Sequence, residues 1–205
     1  MFEALSAGAL LGLAAGFSPG PLMVLVISST LRYSMAEGLK VGMAPLITDL
    51  PILVLSIYLM GQAAESHTAL GVVSLAGAVF VCYLGWQTLS AKALEEAVST
   101  EEPRSFRNGA LANFLSPHPY LFWFTLGAPL AIKFSLDSWT GGAGFILSFY
   151  VCLIGSKILT AILFGKARNL ITGRPYLYTM RVLGALLMVF GLLMLKEGLG
   201  YLNLV

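Results

Sequence analysis

The chain has 205 residues, of which 58% are hydrophobic and only 11% are charged, and its mean hydropathy is +0.85. Soluble domains carry about a quarter charged residues, so this composition excludes an ordinary water-soluble fold. The formal net charge is +2 at pH 7. The partner that we expect is the lipid bilayer, and not a nucleic acid.

Six apolar runs approach or exceed the ~20 residues that a helix needs to cross a bilayer. The predicted spans are Leu5–Leu31, Leu39–Met60, Ala69–Ala91, Gly109–Ile132, Gly142–Phe164 and Val182–Leu202. Only Glu3 and no basic residue precedes the first run, which is also longer than the apolar part of a signal peptide, so we expect it to be retained. The sequence therefore predicts one all-α transmembrane domain over residues 1–205.

The first predicted span is interrupted by Ser18-Pro19-Gly20-Pro21, within the stretch FSPGPLMVL. A proline inside a helix removes a backbone hydrogen bond and clashes with the preceding turn, which costs about 3 kcal/mol or more. In hydrocarbon the freed carbonyl groups must be satisfied by protein or by water in a cavity. We therefore predict that helix one is broken and lines a polar cavity.

Asp49 lies inside the second predicted span, between Pro45 and Pro51. A charged side chain near the centre of a membrane helix costs at least ~2.5–3.5 kcal/mol and usually faces the bundle interior or water. The two prolines also loosen the helix around this short side chain. The pattern predicts a proton or substrate site at Asp49.

The fourth predicted span repeats the interruption as Ser116-Pro117-His118-Pro119, ninety-eight residues after the first. The two motifs lie in the first and fourth spans, an offset of three spans; because three is an odd number, the second half would enter the membrane from the opposite side. Such inverted repeats are common in secondary transporters, whose substrates bind where corresponding helices are broken. We predict repeat one at about 1–91, a linker at 92–107 and repeat two at about 108–205, although simple proline kinks are an alternative.

Three polar side chains accompany the second break. Asn113 and Ser116 can bond either to freed carbonyls or to substrate, and both interpretations stay open. His118 stands between two prolines, and histidine can exchange a proton near neutral pH, although a structural role would also explain it.

Lys157 is the second ionisable residue that we place clearly within a span, the fifth. At 1.5 Å per residue, Asp49 and Lys157 would lie about 15 and 10 Å from the predicted cytoplasmic ends of their helices, so an ion pair is geometrically feasible. The alternative is a lysine whose flexible stem reaches the membrane interface. The predicted substrate and ion pathway comprises Ser18, Pro19, Gly20, Pro21, Asp49, Asn113, Ser116, Pro117, His118, Pro119 and Lys157.

The basic residues predict the orientation, because Lys and Arg are retained on the cytoplasmic side. Nine of them fall in the loops after spans one, three and five, whereas only Lys133 and Lys196 fall on the opposite side. We therefore expect both termini to face outward from the inner or plasma membrane.

Two glycine series predict close helix packing: Gly8, Gly12 and Gly16 on the first span, and Gly184, Gly191 and Gly198 on the last. Such small-residue faces let backbones approach closely. They could pack within one chain or between two chains, so a homodimer stays open. Cys82 and Cys152 belong to no Cys-x-x-Cys motif, and we interpret them as small core residues.

The Phe17–Pro21 stretch, FSPGP, and the spacing of Gly38 and Gly42 resemble the lysine-exporter (LysE/RhtB) translocator family. The resemblance covers nearly the whole chain and implies a six-span exporter of amino acids. The fourth helix departs from the family's Asn-Pro-Lys, because the asparagine is displaced to Asn113 and His118 stands where lysine would follow. The family's name therefore does not make a basic amino acid the expected substrate.

From these features we predict a secondary transporter of an amino acid or a similar small zwitterion, driven by exchange with protons. The family resemblance implies that the direction is export. We expect no enzymatic activity, cofactor or metal site. A metal-ion or other small-solute exporter of the same superfamily, and a non-transporting membrane assembly factor, stay as alternatives. A thiol-redox conduit would need paired cysteines near the prolines, where this chain has Gly20 and His118.

Overall fold

A computed structural model describes residues 1–59, 67–90, 103–168 and 173–202. These described residues are about 90% helical, and no β-strand occurs among them. The elements are α1 Phe2–Phe17, α2 Pro21–Arg32, α3 Met35–Gly42, α4 Pro45–Leu59, α5 His67–Leu89, α6 Ser105–Phe114, α7 Pro117–Phe122, a π-helical segment Trp123–Gly127, α8 Ala128–Asp137, α9 Trp139–Ala167 and α10 Gly173–Tyr201. Most of the predicted linker 92–107 lies outside the described residues.

Three stretches are long and apolar enough to cross a membrane: Met35–Ser56 across α3 and α4, Trp139–Ala167, and Arg174–Tyr201. The pair α1 and α2 makes a fourth if the bent pair counts as one span. The region of the predicted fourth span is divided among α6, α7, the π-helical segment and α8, none of which is long enough alone. The described helices thus provide three or four candidate spans of a multi-pass membrane protein.

The first predicted break is present between α1 and α2, whose axes differ by 63°. Ser18 is non-helical because the residue before a proline is forced away from the α region, and its ψ is 127°. Gly20 is fully extended, and Pro21 occupies the first position of α2, where its missing N–H has no helical partner to lose. The chain therefore restarts a helix immediately after the break.

The second break separates α6 from α7 at Leu115 and Ser116. Ser116 is extended, and its hydroxyl accepts a hydrogen bond from the His118 N–H at 3.4 Å, so it caps α7. Farther along, the Ala128 N–H bonds to the Trp123 carbonyl, which is a π-type step. Pro129 explains that step, because a proline cannot donate to the ladder and displaces the carbonyl of the turn before it.

The glycines on α1 pack against α9 within the same chain. A Cβ at positions 8, 12 and 16 would collide with α9, and the successive contacts are Phe145, Phe149 and Ser156. Because the residue numbers of the glycines on α1 and of their contacts on α9 increase together, the two helices run parallel. This stripe is therefore occupied inside the chain.

The glycines on α10 pack against α5 in the opposite sense. Added Cβ atoms at positions 184, 191 and 198 would meet, in that order, Leu89, Cys82 and Leu75. The residue numbers rise along α10 while those of the contacted residues fall along α5, so α5 and α10 run antiparallel. Many large apolar side chains on the outer faces of α5, α9 and α10 stay exposed, which suits helices surrounded by lipid.

Candidate functional site

A cavity of about 450 Å³ lies between the two breaks. Ten of the eleven residues predicted for the substrate and ion pathway line it, namely Ser18, Pro19, Gly20, Pro21, Asp49, Asn113, Ser116, His118, Pro119 and Lys157. The eleventh, Pro117, begins α7. Broken helices leave room that continuous packed helices would fill, so the cavity follows from the prolines.

Asp49 is held by a residue from the other half of the chain. The Asn113 amide nitrogen Nδ2 donates to Asp49 Oδ1 at 2.6 Å and to Thr48 Oγ1 at 2.7 Å. The Thr48 hydroxyl in turn donates to the Ala44 carbonyl at 3.1 Å. All three side chains are more than nine-tenths buried. A buried carboxylate needs such partners, because an unpaired buried charge is costly.

The Lys157 side chain lies inside the protein and lines the cavity. Its exposed fraction is only 3%, which disagrees with a stem that extends over the outer surface to the membrane interface. Among the described residues it forms no hydrogen bond, and its Nζ does not approach Asp49 within the 4.0 Å of an ion pair. Asp49 and Lys157 therefore share a cavity without pairing directly.

The two breaks present different groups to the cavity. The first turn of α2, from Pro21 to Met23, lines it together with Gly20, and the first N–H groups of a helix have no partner within that helix. Ser116 uses its hydroxyl as a helix cap, so that oxygen serves the backbone. His118 lines the cavity and is exposed.

An aromatic cluster, formed by Phe122, Trp123, Phe149 and Tyr150, was not predicted from the sequence, and its first three members line the cavity. Trp123 packs at 5.2 Å from both phenylalanine rings and at 6.0 Å from the tyrosine ring. The Trp123 side chain is completely buried and lies near Asp49. Its Nε1 and the Tyr150 hydroxyl find no hydrogen-bond partner in the described ranges. Only the recurrence of aromatics after the second break and in span five could have indicated it.

The described residues contain no group of three His, Cys, Asp or Glu side chains that could hold a metal ion. Cys82 and Cys152 are free thiols, and they lie at different helix contacts, beside Gly191 and Gly12 respectively. The arrangement presents charges and an apolar wall to a small solute.

The LysE type translocator family model matches residues 13–198 of this chain. That range includes both breaks and every residue of the predicted pathway. No curated protein and no solved structure matches the chain.

Proposed function

The chain belongs to the LysE type translocator family of membrane transporters, and on this premise we propose that it exports an amino acid or a similar small zwitterion in exchange for protons. Family membership makes it a multi-pass membrane transporter of a small solute rather than an enzyme. The substrate, the coupling to protons and the direction in this membrane belong to the proposal.

The observation that carries the proposal is the bond between Asn113 and Asp49 in the wall of the cavity. One partner comes from the helix before the second break, and the other from the span that follows the first break. A solute or proton bound at Asp49 therefore acts on both halves of the chain at once. Coupling of this kind is what a transporter needs if its halves move relative to each other.

Asp49 is the proposed proton carrier, and its neighbours can serve both of its protonation states. The amide of Asn113 donates to a carboxylate, and after a half-turn it can accept from a carboxylic acid; the Thr48 hydroxyl can likewise donate or accept. The site can therefore offer Asp49 a hydrogen-bond partner in either protonation state. His118, which lines the same cavity, is the proposed group for proton exchange with water.

Six spans in two inverted repeats are the proposed topology. In such a plan spans one and five run in the same direction, as do spans two and four, whereas spans three and six run oppositely. The parallel contact of α1 with α9 and the antiparallel contact of α5 with α10 agree with these requirements. The contacts of α6 agree as well: Gly109 meets Val41 of α3, and Asn113, farther along α6, meets Asp49 of α4, which follows α3 in the same predicted span.

The proposed location is the inner or plasma membrane with both termini outside, which rests on the distribution of basic residues. A homodimer is compatible with this proposal. Since both glycine stripes are occupied within the chain, its interface would use other faces.

Reconstitution tests the function directly. Purified protein in liposomes, loaded with a mixture of labelled amino acids, should release one or more of them when a pH gradient is imposed. Liposomes without protein provide the background, and Asp137→Asn provides a matched variant, because Asp137 is an exposed aspartate at the end of α8. Release that is equal with and without protein would contradict transport. Release that ignores the pH gradient would contradict proton coupling alone.

A further inference from the structure

Two opposite charges line one cavity without neutralising each other. Lys157 and Asp49 are the only lysine and the only carboxylate in the described wall of this cavity. An isolated ammonium inside a protein is costly because it loses its hydration, and Lys157 has no partner among the described side chains. A molecule that occupies the cavity can provide that partner.

The position of Lys157 follows from the packing of α1 on α9. Lys157 directly follows Ser156, which meets position 16 near the end of α1, and it lines the same cavity as Gly20 and the first turn of α2. The N-terminus of a helix favours a negative charge through its free N–H groups and its dipole. Lys157 and the first turn of α2 therefore form one positive end of the cavity.

Asp49 lies at some distance from this positive end. A Cβ at Gly42 would be 2.9 Å from the Lys157 Cβ, which places these two residues side by side. Asp49 lies in α4, beyond the turn at Met43 and Ala44 that separates α4 from α3 and Gly42. The two charges form no ion pair within 4.0 Å, yet both line the same cavity, so one small molecule can contact both.

Apart from the polar side chains of Ser18, Asn113, Ser116 and His118, the rest of the wall is apolar. Phe122, Trp123, Phe149 and Leu153 line the cavity, with Leu11 and Leu126 beside them. Because the described wall has no second carboxylate, a second ammonium on the solute would be left without a partner. Aliphatic and aromatic walls bind apolar side chains by removing their surface from water.

We propose that the cavity binds α-amino acids with an uncharged, apolar side chain, whose carboxylate is held by Lys157 and the first turn of α2 and whose ammonium is held by Asp49. This inference rests on the proposed transport function and specifies its substrate class. It differs from transport of a basic amino acid, which would need a second acidic group in the wall.

Counterflow in proteoliposomes at equal pH on both sides tests the inference without the proton gradient. Four solutes are compared. L-leucine has both charges, and leucinamide lacks the carboxylate. The third, 4-methylpentanoate, lacks the ammonium, and L-lysine adds a second ammonium. We expect leucine to exchange about tenfold or more faster than leucinamide and 4-methylpentanoate, because each of these loses one charge-assisted contact. L-lysine should be slower than leucine by a similar factor, because its second ammonium has no partner in the described wall. Equal exchange of leucine and leucinamide would overturn the inference and leave transport intact. Exchange of none of the four above empty liposomes would overturn both.

Substitution of the lysine separates its role from general stability. Lys157→Met should reduce leucine exchange to the level of leucinamide, while leucinamide exchange should not fall, because leucinamide has no carboxylate for Lys157 to bind; thermal unfolding in detergent shows independently whether the variant is folded. Lys157→Arg should restore at least part of the preference, since arginine also binds carboxylates. The matched control is Lys166→Met, which removes an exposed lysine from the last turn of the same helix. An unchanged preference for leucine in Lys157→Met would overturn the inference.

Discussion

Asn113 and Asp49 are 64 positions apart in the chain, and the amide nitrogen of one lies 2.6 Å from the carboxylate oxygen of the other. The asparagine lies in the last turn of α6, before the second break, and the aspartate lies one turn after the proline that begins α4. This bond joins the two halves of the chain at the wall of the cavity. A change at either end is therefore expected to affect both halves.

Asp49→Asn should abolish flux driven by a pH gradient, because the amide cannot carry the transported proton. Exchange of substrate at equal pH should persist at a reduced rate, since asparagine keeps the shape of the site but loses the charge-assisted contact with the substrate ammonium. Flux and exchange are measured in proteoliposomes, with Asp137→Asn as the control. Undiminished gradient-driven flux in Asp49→Asn would remove Asp49 from the coupling mechanism.

Asn113→Ala should destabilise the protein by about 1–3 kcal/mol, because it leaves two buried acceptors without their donor. The matched control is Asn108→Ala on the same helix, since Asn108 forms no side-chain hydrogen bond within the described ranges. Thermal unfolding in detergent compares the two variants. Equal unfolding temperatures would show that the bond contributes nothing to stability.

The double substitution Pro19→Ala and Pro21→Ala should leave a folded protein that transports poorly. Without the prolines, α1 and α2 can join into one continuous helix and close the space between the breaks. Stability is expected to stay equal or to rise. Pro175→Ala is the control, because Pro175 occupies the first turn of α10, where proline is tolerated. Wild-type transport by the double variant, at wild-type expression, would reduce the prolines to incidental kinks.

Gly12→Ala should destabilise the contact between α1 and α9, because the new methyl group would collide with the Phe149 carbonyl oxygen. Overpacking of this kind typically costs about 1–3 kcal/mol. Gly155→Ala, on α9, is the control, since a Cβ there meets no atom within 4 Å. Thermal unfolding should separate the two variants, and an unaffected Gly12→Ala protein would contradict the close parallel packing.

The orientation is tested with single cysteines at Ser66 and Ser99, in a background with Cys82 and Cys152 replaced by alanine. The distribution of basic residues predicts that position 99 is cytoplasmic and position 66 external. An impermeant thiol reagent added to intact cells should therefore label position 66 only. Labelling of position 99 from outside would reverse the orientation and require a new span count.

Much of the architecture could be predicted from the sequence because its causes are local. Hydropathy assigns apolar runs to the bilayer, and each Pro-x-Pro motif breaks its own helix wherever that helix packs. The residues around both breaks and the ionisable side chains inside spans were therefore identified without coordinates. The π-helical segment was missed, although Pro129 is a local signal for it.

Relationships between helices needed the tertiary structure. Whether Asp49 meets Lys157 or Asn113 depends on how α4, α6 and α9 rotate against one another, and close packing of many side chains sets that rotation. The same packing places both glycine stripes against helices of the same chain and Trp123 near Asp49. The sequence alone thus determined the solvent, the breaks and the candidate charges, whereas tertiary packing determined which side chains those charges meet.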